Sequence, residues 1–251
     1  MIKFFRQIRQ NLLMENKTGK YFKYAIGEIV LVVIGILIAL GINNWNENRK
    51  DGIQEKIVLK SLLENLELAK TQSELLIASE KTLKNSLIRI LEIETHPNEN
   101  SNRLIPDSVF TSAVWDLQSD QPTFNAYSNL KNTNKLSLVK DKRINEKFTD
   151  LEFKLNQLND VLEDRLSVHQ IRIDDILEKD VNFIPLIKAN VPELNIENET
   201  KNDYFQLLTV KRVRNLLGMK LTFTQDVINR RESLDKEIEA LITIIDNELN
   251  E

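Results

Sequence analysis

Side chains able to do acid–base, nucleophilic or metal chemistry are scarce in this chain: two histidines, His96 and His169, and no cysteine. His96 precedes Pro97 in a loop. His169 falls in a helical run, and neither sits in the Glu-x-x-His arrangement that builds a di-metal site in a bundle, so both read as structural or solvent-exposed. The lack of cysteine removes thiol catalysis, disulfides and thiolate metal sites. Of six glycines, only Gly52 and Gly218 lie beyond residue 42, too few for a phosphate-cradling loop or a nucleophile elbow. Asp160, Glu163 and Asp164 read as a solvated helix face, with nothing to set two carboxylates across a cleft. The Lys211-Arg212-Val213-Arg214 run and Arg230-Arg231 read as helix surface paired with acids, not as a nucleic-acid patch. No catalytic residue, cofactor or metal site is expected.

The elements carry more information than the sites. Ala25 to Ile42, AIGEIVLVVIGILIALGI, holds a single charge, Glu28. The stretch from Tyr24 to Trp45 would cover roughly 31 Å as a helix, about one hydrocarbon core. A soluble core helix would show a polar face, and Ile29 to Ile42 has none. A cleaved secretory signal is the other alternative, with Ala39-Leu40-Gly41 as its small-x-small site, but the lead-in is long for one. The expectation is an uncleaved transmembrane helix over 24–45, with Tyr21 and Tyr24 anchoring one interface and Trp45 the other.

Charge sets the orientation. Lys3, Arg6, Arg9, Lys17, Lys20 and Lys23 precede the span, opposed only by Glu15. From residue 43 onward, 28 basic and 36 acidic residues give a net charge of −8. The positive-inside rule places residues 1–23 in the cytoplasm and 46–251 in the periplasm, with the span in the inner membrane. Within the arm, Ile2, Phe4, Phe5, Ile8, Leu12 and Leu13 recur at helical spacing, which reads as an amphipathic helix on the anionic leaflet. Inside the span, Gly27, Leu31, Gly35 and Ala39 form an i+4 stripe that would let a second helix approach. Glu28, one turn inside the boundary, reads as a carboxylate paired near the interface by Lys20 or Lys23, or as a partner contact.

The string KYAIGEIVLVVIGILIALGINNWNENRK, Lys23 to Lys50, together with the MIKFFRQIRQ arm, resembles the N-terminal signature of a family of single-span membrane proteins from Bacteroidota, known only as domain of unknown function 6090. Thr123 to Phe148 resembles a later segment of that family, with Thr133-Asn134 where a Ser-Gly turn is usual. The resemblance implies a membrane-anchored, mainly helical protein and carries no activity.

The remainder reads as all-α. Apolar residues recur at three and four over 53–94, 141–179 and 203–249, and all five prolines (Pro97, Pro106, Pro122, Pro185, Pro192) fall between these runs. The expected architecture is an elongated antiparallel up-down-up bundle of three long helices. Residues 96–140 form a distal cap, with short helices near Asp107–Leu117 and Thr123–Leu130, and 181–202 form a membrane-proximal loop. Phe183, Ile184, Leu186 and Ile187 are expected to plug the end of the bundle. Trp115, Phe124 and Tyr127 are expected to build the core of the cap and to mark any pocket between cap and bundle.

These features point to a non-enzymatic, membrane-anchored protein that binds or organises partners in the periplasm. Its expected partners are the lipid bilayer and either a second copy or another membrane protein. A ligand-sensing bundle that signals through a partner is the alternative, and an enzyme a remote one.

Overall fold

The computed structural model describes residues 18–93 and 105–250, and every regular element among them is helical. The basic arm up to residue 17 and the His96–Pro97 loop lie outside the described residues. The chain divides into two compact units, Met1–Ile57 and Val58–Glu251.

Helix α1 (Thr18–Leu91) carries the apolar run and continues without a break where the sequence suggested a span ending at 45 and a new helix from 53. No proline interrupts it. Asn43 Nδ2 donates to Glu47 Oε1 one turn on, at 3.1 Å. A single helical glycine, Gly52, costs only ~1 kcal/mol, too little to end a helix of this length. In the first unit the large aliphatic residues from Ile26 to Ile42 are 47–64% exposed. Nothing among the described residues covers them.

Among its described residues the second unit contains the rest of α1 and six further helices: α2 (Asp107–Val114), α3 (Asn125–Asn132), α4 (Lys142–Val168), α5 (Asp174–Lys179), α6 (Tyr204–Thr209) and α7 (Lys211–Asn250). One π turn, His169–Ile173, joins α4 to α5, and 3₁₀ turns occupy Lys135–Leu138 and Ile184–Ala189. Asp141 caps α4 by accepting from Arg143 N at 2.8 Å. After α3, Asn134 takes a left-handed conformation (φ 55°), which asparagine tolerates better than most residues.

Side-chain pairs give the direction of each long helix. Lys70 meets Asp235, Lys81 meets Glu232, and Arg214 reaches the carbonyl of Leu91, so α1 and α7 are antiparallel. Lys147 meets Glu237 and Arg230 meets Gln157, so α4 and α7 are antiparallel too. It follows that α1 and α4 run parallel. The order is up-up-down, not the expected up-down-up. Short connections force neighbouring helices to be antiparallel; the connection from α1 to α4 is long enough to return to the starting level first.

Residues 105–140 make that return and are not a distal cap. Phe110, Ala113 and Val114 of α2 pack with Leu83, Leu87 and Ile90. Further along, Thr123 N donates to Gln72 Oε1 at 2.8 Å and Ala126 N to Asn65 Oδ1 at 3.1 Å. The 181–202 loop is also displaced from its expected end: Leu186 is buried with Leu87, Ile90 and Phe110, at the Leu91 end of the unit. Asn182 and Asn202 clasp it through reciprocal bonds, Asn182 N to Asn202 Oδ1 at 2.7 Å and Asn202 Nδ2 to Asn182 O at 2.9 Å. Phe110 stacks on Tyr204 at 4.1 Å, and the Tyr204 hydroxyl donates to Asp107 Oδ1 at 2.7 Å.

Two apolar cores result. One gathers Leu59, Leu62 and Leu66 with Ile144, Phe148, Leu158, Val227, Leu234 and Ile245. The other gathers Leu83, Leu87 and Ile90 with Ile173, Ile176, Val213 and Leu217.

Candidate functional site

Between the two cores the inward seams of all three long helices turn polar over about two to three turns. Ser73 and Glu80 on α1, Arg165 on α4, His169 at its end, and Lys220, Thr224 and Arg231 on α7 are all buried. Glu80 is wholly inaccessible. Arg165 grips it with two bonds, Nη1 to Oε2 at 2.6 Å and Nη2 to Oε1 at 2.8 Å, and also donates to the carbonyl of Gln118. Arg231 forms an ion pair with the same carboxylate, its Nε 3.4 Å from Oε1. Burial lowers the Arg231 pKa, with Arg165 adding to the shift and Glu80 opposing it. One buried carboxylate thus serves two buried guanidinium groups.

Lys220 crosses from α7 to α2. Its Nζ donates to the carbonyls of Val114 at 2.6 Å and Asp116 at 2.8 Å, where α2 ends. An ammonium group there satisfies terminal carbonyls and complements the helix dipole. Burial, then the Arg165 charge, brings the Lys220 pKa down to about 7. Burial, then Lys220 and Arg165, pushes His169 down to about 4, so the imidazole is neutral at physiological pH. Its Nε2 lies 3.6 Å from Asp174 Oδ1. A lysine with a pKa near neutrality can act as a nucleophile in an open cleft. Lys220 is enclosed and committed to two carbonyls, so the layer acts on packing: it holds three helices and α2 in one register.

The sequence signal for this layer is the three-and-four seam itself. Extending it through α1 places Ser73 and Glu80 among Leu66, Ala69, Leu83 and Leu87. Reading only the apolar members passed over both. Arg231, expected on the helix surface, is buried. Arg212 does pair as a surface residue, with Asp175 at 3.0 Å and Asp180 at 3.3 Å. Asp160, Glu163 and Asp164 are exposed on α4.

The aromatic trio does not assemble. Tyr127 stacks on Phe148 at 4.2 Å, and with Phe124 belongs to the core nearer Leu59. Trp115 packs against the other core and meets Phe183 edge-on, with ring centroids 4.6 Å apart and planes at 64°. The chain's return along α1 separates what adjacency in sequence suggested would cluster. Beside Trp115 opens a cavity of about 560 Å³, lined by Trp115, Asp174, Leu177, Glu178, Val181 and Phe183. A pocket does border the return segment, built by Trp115 and α5 in place of Phe124 and Tyr127.

In the first unit, Gly27 and Gly35 have open space where a Cβ would stand, and Leu31 and Ala39 are exposed beside them. Trp45 is 67% exposed. Tyr21 and Tyr24 fall within α1, their side chains outside the described residues, and Glu28 is half-buried. By length and composition this apolar helix could cross a membrane, and its place near the N-terminus is equally consistent with a signal sequence.

Residues 28–101 match the model of a family described as a family of unknown function, DUF6090, and the chain is consistent with membership of it. The match begins at Glu28 inside the apolar run and extends past the end of α1. No curated protein and no solved structure matches the chain.

Proposed function

We propose that this protein is a non-enzymatic, membrane-anchored helical module that binds or organises partners in the periplasm. Residues 24–45 span the inner membrane, the N-terminal arm faces the cytoplasm, and the bundle is exported. The observation that carries this reading is the uncovered apolar run. At roughly −0.3 to −0.6 kcal/mol each, its twelve large aliphatic residues from Ile26 to Ile42 outweigh one carboxylate, which costs about 3 kcal/mol even at the membrane centre. Reporter fusions at both termini test the topology. A periplasmic reporter should be active at the C-terminus and silent at the N-terminus, and the reverse pattern refutes the orientation. The intact mass of membrane-extracted protein tests retention, since loss of residues 1–41 would identify the run as a cleaved signal.

The stripe of Gly27, Leu31, Gly35 and Ala39, flanked by Glu28, is the proposed contact for a second copy or another membrane helix. Gly35→Leu should block close approach of the helices and shift a crosslinked oligomer to monomer. An unchanged crosslinking pattern removes the stripe as an interface. The cavity beside Trp115 favours a second reading, a ligand-sensing bundle that signals through such a partner.

A further inference from the structure

We propose that the cavity beside Trp115 binds a small organic ammonium ion, with the rings of Trp115 and Phe183 as walls and the carboxylates of Asp174 and Glu178 as counter-charges. The inference concerns the second unit alone and holds whichever side of a membrane that unit occupies.

The lining selects the ligand class. Leu177 and Val181 give the cavity an apolar floor, and the edge-on ring pair offers π faces that attract cations. Asp174 and Glu178 are one turn apart on α5 and therefore share a face. Their acidic neighbours are already neutralised: Asp175 pairs with Lys179 and Arg212, and Asp180 with Arg212. Among the described residues Asp174 has only His169 at ion-pair distance, and that imidazole is neutral at physiological pH. The ammonium of Lys220, the other cation felt by Asp174, is held by the carbonyls of Val114 and Asp116. Among the described residues Lys220 and Lys179 act on these two carboxylates through space, each while bonded elsewhere, Lys220 to the two carbonyls and Lys179 to Asp175.

Competing occupants fit less well. An anion would face two carboxylates. A neutral apolar molecule would leave the half-buried Asp174 carboxylate uncompensated. A hard divalent cation seeks six or more oxygen ligands, and the cavity offers two carboxylates between aromatic walls. An alkylammonium ion satisfies walls and charges together. The π turn His169–Ile173 ends immediately before Asp174, and such turns widen a helix and recur where side chains serve a site.

The test uses the full chain in a maltoside detergent. Trp45 and Trp115 are the two tryptophans, so Trp45→Phe leaves Trp115 as the sole fluorescent reporter. Titration with choline and with n-butylammonium should change its emission saturably. The uncharged isostere of choline, 3,3-dimethylbutan-1-ol, should bind about tenfold more weakly or not at all. Asp174→Asn combined with Glu178→Gln should weaken choline binding about tenfold. Glu178→Gln alone, at an exposed position that cannot unfold the bundle, should weaken it about threefold. Asp175→Asn should leave it unchanged. The proposal is overturned if neither ammonium probe gives a saturable signal, if the isostere binds as well as choline, or if Glu178→Gln binds as the parent does.

Discussion

Glu80 shows how strongly one residue can be committed inside this fold. Its carboxylate is the common counter-ion of two buried guanidinium groups, so removing its charge strands both. Glu80→Gln keeps the shape and should cost about 3–5 kcal/mol in urea unfolding, the range for breaking a buried ion pair. Replacing all three members (Glu80→Leu, Arg165→Met, Arg231→Met) should bring stability back to within about 1 kcal/mol of the parent, because the desolvation costs vanish together. A Glu80→Gln loss below 1 kcal/mol would mean that water reaches the layer. His169 provides a pH signature. Its ordinary pKa of 6.5 falls to about 4 in the fold, so the unfolded chain binds the extra proton between those values. The stabilisation is fully present above pH 6.5 and lost as pH falls toward 4, by about 3 kcal/mol at most. His169→Gln should flatten that part of a melting-temperature profile, and an unchanged slope would show that other groups set it. These residues were hard to read because charge normally marks a surface: the sequence reports identity, whereas burial came from three seams meeting in the interior.

The helices themselves were the more legible layer. The expected runs over 141–179 and 203–249 correspond to α4 through α5 and to α6 through α7, because period and proline placement act locally. The π turn within the first of these was invisible, since its residues keep the apolar spacing that an α-helix would show. Asn134 was legible for a local reason as well, a turn residue standing where the chain reverses. Gly218 offers a test at this scale. It lies inside α7, and a methyl group added there meets no atom within 4 Å. Gly218→Ala should therefore raise stability by about 0.5–1 kcal/mol through helix propensity and a less flexible unfolded chain. A fall in melting temperature would mean that the seam is tighter at that turn than its geometry indicates.

At the scale of the whole second unit, the sequence pattern was silent on direction. Periodicity shows which residues face inward but not which way a helix travels. A return segment of short helices looks the same in sequence as a cap. The parallel course of α1 and α4 depends on pairs distant in sequence, such as Lys70 with Asp235 and Lys147 with Glu237, and each of those residues alone reads as ordinary helix surface. The family-model match adds nothing on direction, because its residues 28–101 stop before α4 begins.

The antiparallel pairing of α1 and α7 also has a mechanical consequence. Residues 58 and 250 lie at the same end of the second unit, beside the Leu59 core. A pulling force applied between them would peel α7 from α1 turn by turn, like a zipper, in place of sliding the two helices past each other. The first resistance would come from the apolar contacts around Leu59 and from the Lys70–Asp235 ion pair. Further along, peeling α7 would part the Arg231–Glu80 ion pair and then the two hydrogen bonds by which Lys220 holds α2. Force applied this way would therefore meet the apolar core before it reached the buried charges.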